Sequence, residues 1–137
     1  MFGELKRILY IEDEPDIQAI ARVSLESVGG FTTKICSSGE EGLQQTPLFD
    51  PQLILLDVMM PGMDGPATFQ ALHELKDYTN TPIIFMTAKA QPQEIQEYMS
   101  MGAIGVITKP FDPIKLPDDI RTIWNSKTIT RPYLVQT

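Results

Sequence analysis

The chain has one cysteine, one histidine and one tryptophan among its 137 residues. A single cysteine, Cys36, excludes an internal disulfide and suits a reducing compartment, where it reads as a small buried apolar residue on a strand. One histidine and one cysteine cannot assemble a Cys/His zinc site, and His73 reads as an exposed helical residue. Basic residues are scarce, 11 Lys and Arg against 18 Asp and Glu, for a formal net charge of -7. A nucleic-acid-binding face needs the opposite balance, so no direct nucleic-acid partner is expected. No apolar run approaches the roughly 20 residues that span a bilayer, so no membrane insertion is expected. Near the start, Glu4, Lys6 and Arg7 stand where the apolar core of a secretion signal would have to be. A cytoplasmic location is the expectation.

What is present is a regular alternation. Hydrophobic residues make up 42% and charged residues 21% of the chain, which suits a folded globule rather than a disordered segment. Short apolar runs read as strands at Ile8-Leu9-Tyr10-Ile11, Leu53-Ile54-Leu55-Leu56, Pro82-Ile83-Ile84-Phe85-Met86 and Gly105-Val106-Ile107-Thr108, with a weaker one at Thr32-Thr33-Lys34-Ile35-Cys36. Continuous apolar runs of this length suit strands covered on both faces. Helical patterns lie between them. The first runs from about Pro15 to Val28 and is stopped by Gly29-Gly30. The second, about Gly39 to Gln45, follows Ser37-Ser38, and the third begins after Gly65-Pro66. The fourth spans about Pro92 to Met101, and the fifth reaches Trp124 with Pro117 clouding its start. Strand then helix, repeated five times, predicts a doubly wound α/β fold: a five-stranded parallel sheet in the flavodoxin-like order 2-1-3-4-5. Residues 1–125 form the expected domain and 126–137 a short C-terminal tail.

Polar residues sit where the strands end. Glu12-Asp13 follow the first, Asp57 the third, Thr87 the fourth and Lys109 the fifth. In a parallel sheet these ends share one edge, and ligands bind where the strand order reverses, between strands one and three. With strands ~4.8 Å apart, Glu12, Asp13 and Thr87 are one spacing from Asp57, while Lys109 must reach back roughly 10 Å. Three carboxylates in one crevice repel; at ~4 Å and an effective dielectric of ~20, a like pair costs about 4 kcal/mol. A divalent cation together with Lys109 cancels that charge. Hard oxygen ligands in an incomplete cage suit Mg²⁺, and the expected chemistry is in-line phosphoryl transfer to a carboxylate.

Four segments carry a resemblance. Asp57-Val58-Met59-Met60-Pro61-Gly62-Met63-Asp64-Gly65 resembles the phosphoacceptor segment of receiver domains of two-component response regulators. Ile11-Glu12-Asp13-Glu14-Pro15 resembles their acidic pair, Met86-Thr87-Ala88 their switch threonine, and Thr108-Lys109-Pro110-Phe111 their lysine motif. The resemblance covers about residues 6–125 and is closest to chemotaxis-type single-domain receivers. It implies that Asp57 is the phosphoacceptor, and that Asp13, Asp57 and the Met59 backbone carbonyl ligate Mg²⁺, with Glu12 acting directly or through water. It implies that Lys109 contacts the phosphoryl oxygens, that the Thr87 hydroxyl swings in to bond one of them, and that a cis peptide bond precedes Pro110. The donor would be a histidine kinase or a histidine phosphotransfer protein. The altered output surface would be helix four, strand five and helix five, including Gln93, Gln96, Ile104, Val106 and Arg121, offered to a downstream protein partner. Such a domain catalyses its own phosphorylation and dephosphorylation and acts on no external substrate.

Two positions depart from the family pattern. Val106 stands where many receivers carry an aromatic residue that moves with the threonine, and Gly105 where many carry aspartate. Met59 and Lys89 flank the acceptor and the switch threonine and should influence hydrolysis by water. Other readings are a phosphorelay shuttle and a non-phosphorylated interaction module of the same fold. The module would be favoured by loss of an acid or the lysine, and none is lost. A nucleotide- or flavin-binding protein would need a glycine-rich loop after strand one, where Glu12-Asp13-Glu14-Pro15 stands instead. Metal-dependent hydrolysis of an external phosphoester is a further class. Met59, Met60 and Met63 read as packing or pocket-rim residues, and Thr87 is also placed to cap helix four.

Overall fold

A computed structural model describes residues 3–126 and, for the backbone, 133–135. Strands form at β1 (Arg7–Ile11), β2 (Thr32–Cys36), β3 (Leu53–Asp57), β4 (Ile83–Thr87) and β5 (Gly105–Thr108). The helices are α1 (Pro15–Arg22), α2 (Gly39–Phe49), α3 (Gly65–Glu74), α4 (Pro92–Ser100) and α5 (Leu116–Ser126). The five strands are parallel and stand in the predicted order 2-1-3-4-5. The expectation of five strands is corrected at one edge. A sixth, β6 (Tyr133–Val135), pairs in parallel with β5, so part of the predicted tail belongs to the sheet. The reason is open backbone: without β6 the outer N–H and C=O groups of β5 would face no strand. Residues 127–132 and 136–137 of that tail, and Met1 and Phe2, lie outside the described residues. Among the described residues, no helix is long and apolar enough to cross a membrane.

Strand alternation divides the core into two layers. Ile8 and Tyr10 of β1 face one layer with Ala21, Leu25, Leu116, Ile120 and Ile123, against α1 and α5. Leu9 and Ile11 face the other with Phe69, Leu72 and Tyr98, against α3 and α4. Every residue of β3 and β4 is buried. Each fully buried aliphatic or aromatic side chain there stabilises by about 1.5–3 kcal/mol, so these two strands are the stiff centre of the sheet.

Three helices differ in detail from the sequence reading. The first continues past Arg22 as a π-helical turn, Val23–Val28, whose end is held by Arg121. That guanidinium donates to the Gly29 carbonyl and lies over the Phe31 ring. The second runs beyond Gln45 to Phe49 despite Pro47. Its last carbonyls accept hydrogen bonds from the Arg7 guanidinium, which stacks on Phe49, so the terminus is satisfied from outside the helix. The fifth begins at Leu116 with Pro117 in its first turn, where a missing N–H costs nothing.

One close approach ties a helix to the end of β3. Asp64 caps α3 by accepting from the Ala67 N–H at 2.9 Å, and Gly65 N donates to Val58 O at 2.8 Å. A Cβ on Gly65 would lie 2.7 Å from the Asp57 carbonyl oxygen and 2.7 Å from Val58 Cα. Both obstacles are backbone. Gly65→Ala is therefore expected to destabilise the protein by about 1–3 kcal/mol, read as a lower urea midpoint. An unchanged midpoint would mean that the loop after β3 yields freely.

Candidate functional site

The register assembles the site from strand ends. Ile11 lies opposite Leu56, so Glu12 comes beside Asp57. Asp57 pairs with Met86, and Thr87 with Thr108. Lys109 N donates to Thr87 O at 2.8 Å, which starts the lysine just beyond the neighbouring strand end. The peptide bond that follows, Lys109–Pro110, is cis. From there the side chain reaches across β4: Nζ lies 2.9 Å from Asp57 Oδ1 and 3.0 Å from Glu12 Oε1. Asp57 is 2% exposed and Glu12 fully buried.

Both oxygens of Glu12 accept hydrogen bonds. Its Oε1 also accepts from the Tyr10 hydroxyl at 3.1 Å, and its Oε2 from the Glu14 N–H at 3.1 Å. Asp13 is the opposite case: its Oδ1 is buried and has no hydrogen-bond partner. Carboxylate oxygens of Glu12, Asp13 and Asp57 lie within 4.8 Å of one another. A buried, unpartnered carboxylate oxygen beside two further acids fits a hard divalent cation, and the all-oxygen donor set fits Mg²⁺. Alongside is a cavity of about 190 Å³ lined by Glu14, Asp57, Met59, Thr87, Ala88 and Lys109. Its floor is the acid and the ammonium, a suitable seat for a small anionic group.

Thr87 is 1% exposed and bonded to its own loop. The hydroxyl accepts from Lys89 N at 2.9 Å and lies 3.0 Å from Lys89 O. Beyond it stands Tyr98 of α4, buried, with its ring 5.1 Å from that of Phe85. Burial raises the Tyr98 phenol above its usual value, and a hydrogen bond with Thr87 opposes that rise. Val106 is fully buried in the same cluster. The aromatic ring beside the threonine thus comes from α4 rather than β5.

The charges explain the site's tension. Burial, joined by the Glu12 and Asp13 charges, pushes the Asp57 carboxyl up to about 7, against the pull of Lys109. For Lys109, burial lowers the value, but the hydrogen bonds and charges of Asp57 and Glu12 outweigh it and hold the ammonium above its ordinary value. Lys109 therefore stays charged while Asp57 is poorly compensated.

The structure brings Glu12, Asp13, Asp57, Thr87 and Lys109 together, with Met59 at the cavity wall. It does not bring in His73, which is half-buried rather than exposed. Its Nε2 lies 2.9 Å from Thr81 O and its ring packs edge-on against Phe69. Cys36 is buried and its thiol pushed up to about 12, which makes it an inert packing group. On the expected output surface Gln93 and Gln96 are exposed, but Val106 is buried and Arg121 is turned to Gly29 and Phe31. Two site neighbours escaped the sequence reading. Tyr10 had a signal, a phenol inside an aliphatic run two residues from Glu12 and so on the same face of β1. Tyr98 had none, because its nearness to Thr87 is set by how α4 packs.

Known proteins resemble this chain in sequence and fold. The family described as Response regulator receiver domain matches residues 8–121. A probable C4-dicarboxylate response regulator DctR of Halalkalibacterium halodurans is 36% identical over 108 residues, 78% of this chain and 46% of that protein. The alkaline phosphatase synthesis transcriptional regulatory protein PhoP of Bacillus subtilis is 32% identical over 127 residues, 93% of this chain and 52% of that protein. The chain thus spans about half the length of these relatives. The structure of the chemotaxis response regulator CheY4 of Vibrio cholerae superposes with a TM-score of 0.80 at 27% identity, covering 88% of this chain and 99% of that one.

The electrostatics give a pH dependence. Asp57 has a folded value near 7 against 3.8 for the free side chain, so the folded state holds the proton more tightly. Stability from this group is full below pH 3.8 and is lost as pH rises toward 7 in metal-free solution. Asp57→Asn is expected to melt above the wild type at neutral pH in chelator, and the gap should shrink as pH falls toward 4. A gap that does not vary with pH would show that the Asp57 charge is not the strained element.

Proposed function

The chain belongs to the response regulator receiver domain family, and from that premise we propose that it accepts a phosphoryl group on Asp57 from a phosphohistidine. The observation that carries this reading is the Lys109 ammonium 2.9 Å from Asp57 Oδ1, beside the unpartnered Asp13 Oδ1. In the transfer an Asp57 carboxylate oxygen forms the new P–O bond as the donor's P–N bond breaks. The bonding pair leaves on the imidazole nitrogen. Lys109 exchanges its Asp57 contact for a phosphoryl oxygen, and the Thr87 hydroxyl turns from Lys89 toward another.

Asp13, Asp57 and the Met59 backbone carbonyl would hold Mg²⁺ directly. Glu12, whose oxygens are already engaged by Lys109, Tyr10 and Glu14 N, would act through water. When bound, Mg²⁺ neutralises negative charge on the phosphoryl oxygens.

The donor is a histidine kinase or a histidine phosphotransfer protein. An apolar cavity of about 280 Å³ opens beside the site, lined in part by Ile17, Ile20, Ala88, Pro110 and Phe111. Ile20 is 46% exposed, an aliphatic side chain that gains by being covered. The donor surface that carries the histidine would seat there. Phosphorylation adds about -1.5 to -2 charge, and the response would leave through α4, β5 and α5 to a downstream protein partner. The setting is a cytoplasmic two-component system. The intact acids and lysine favour phosphorylation over a silent binding module.

Incubation with acetyl phosphate and Mg²⁺ should add one phosphoryl group by intact mass. Asp57→Asn or a chelator should abolish the gain, and a gain that survives in the variant would refute the reading. For the donor surface, Ile20→Asp should slow transfer from a phosphohistidine protein by about thirtyfold or more, the size of one interface hot spot. Its rate with acetyl phosphate should stay close to wild type. Equal slowing with both donors would place Ile20 in the fold rather than the interface.

A further inference from the structure

Tyr10 heads the largest side chains that are fully buried, in a strand segment otherwise made of Ile8, Leu9 and Ile11. Its ring lies in the layer beneath α1 and α5. Volume alone would be met by phenylalanine or leucine, without burying a hydroxyl that has to find a partner. The partner it finds is Glu12 Oε1, at 3.1 Å, and that same oxygen accepts from Lys109 Nζ at 3.0 Å. β1 places residues 10 and 12 on one face, so the phenol points up the strand from the core into the underside of the site.

We propose that Tyr10 is a positioning residue for phosphoryl transfer: it pins the Glu12 oxygen that anchors Lys109. The inference rests on the reading of Asp57 as the phosphoacceptor and adds the device that keeps its lysine in place. Before transfer the ammonium is held by two carboxylates, Asp57 and Glu12. During transfer the Asp57 carboxylate becomes an acyl phosphate and ceases to be the same partner. Glu12 is the contact that does not change. Its orientation is fixed at both ends, by Tyr10 on Oε1 and by the Glu14 N–H on Oε2. Without the phenol hydroxyl, Oε1 keeps only the mobile lysine, and the pair can drift together. A misplacement of about 1 Å in such a group is enough to lower a rate substantially.

Tyr10→Phe removes one oxygen and keeps the ring, and thermal melts verify that the variant is folded. The probes are Mg²⁺ alone, by calorimetry, and beryllofluoride at saturating Mg²⁺, by NMR titration. The variant is expected to bind beryllofluoride about three- to tenfold more weakly, the net worth of one ordinary hydrogen bond, while its Mg²⁺ affinity stays within about twofold. The Lys109 side-chain ammonium resonance should broaden in the variant. In a Lys109→Ala background the same substitution should add no further loss, because Tyr10 acts through that lysine. Unchanged beryllofluoride affinity in the folded variant overturns the proposal. So does a parallel fall in Mg²⁺ affinity, or an undiminished loss in the Lys109→Ala background. A wild-type protein that binds Mg²⁺ but not beryllofluoride refutes the phosphoacceptor reading itself, and the role of Tyr10 falls with it.

Discussion

Lys109 crosses the end of β4 to place one ammonium between two buried carboxylates, Glu12 and Asp57. The rest of the site depends on that bridge. Three acids stand within a few ångströms, and a like pair at ~4 Å costs about 4 kcal/mol at an effective dielectric of ~20. One lysine cannot balance three acids. Burial, joined by the Glu12 and Asp13 charges, raises the Asp57 carboxyl, and one Asp13 oxygen is left unpartnered. The proposed divalent ion would offset that charge.

The fold supplies the stiffness this arrangement needs. β3 and β4 are buried along their whole length and end at Asp57 and Thr87. α3 begins against the Asp57 and Val58 backbone through Gly65, so the loop after the acceptor has little room. The Thr87 hydroxyl bonds to Lys89 of its own loop and to Tyr98 of α4. Tyr98 lies next to that hydroxyl and packs at a tilt against Phe85, which in turn stacks with Phe69. Aromatic contacts therefore run from α4 through β4 to α3, beneath the surface that would carry the signal.

Much of this could be read from the residues in order. Apolar runs of strand length separated by amphipathic stretches suit parallel strands with helical crossovers; the handedness of those crossovers limits the strand orders, of which 2-1-3-4-5 is a common one. The polar residues that close the runs had to share one edge of the sheet, so Glu12, Asp13, Asp57, Thr87 and Lys109 were identifiable as one site. Helix ends were less legible: the second helix was expected to stop at Gln45 rather than Phe49, and Pro117 left the start of the fifth open. A proline's local penalty is readable, but the Arg7 guanidinium that satisfies the end of α2 comes from a distant strand. β6 was missed because a three-residue strand carries too little periodicity, and its stability comes from the open edge of β5.

Periodicity and spacing by themselves determined that Glu12, Asp13, Asp57, Thr87 and Lys109 follow strands of one sheet, because alternation along a strand is a property of the chain. The tertiary structure decided how those side chains share their bonds. It gave Glu12 to Lys109 and Tyr10, left an Asp13 oxygen without a partner, and set Tyr98 rather than a β5 residue beside Thr87. Those outcomes turn on distances of a few tenths of an ångström and on which helix covers which strand. Such quantities arise only when the layers pack, and no pattern of residues along the chain encodes them separately.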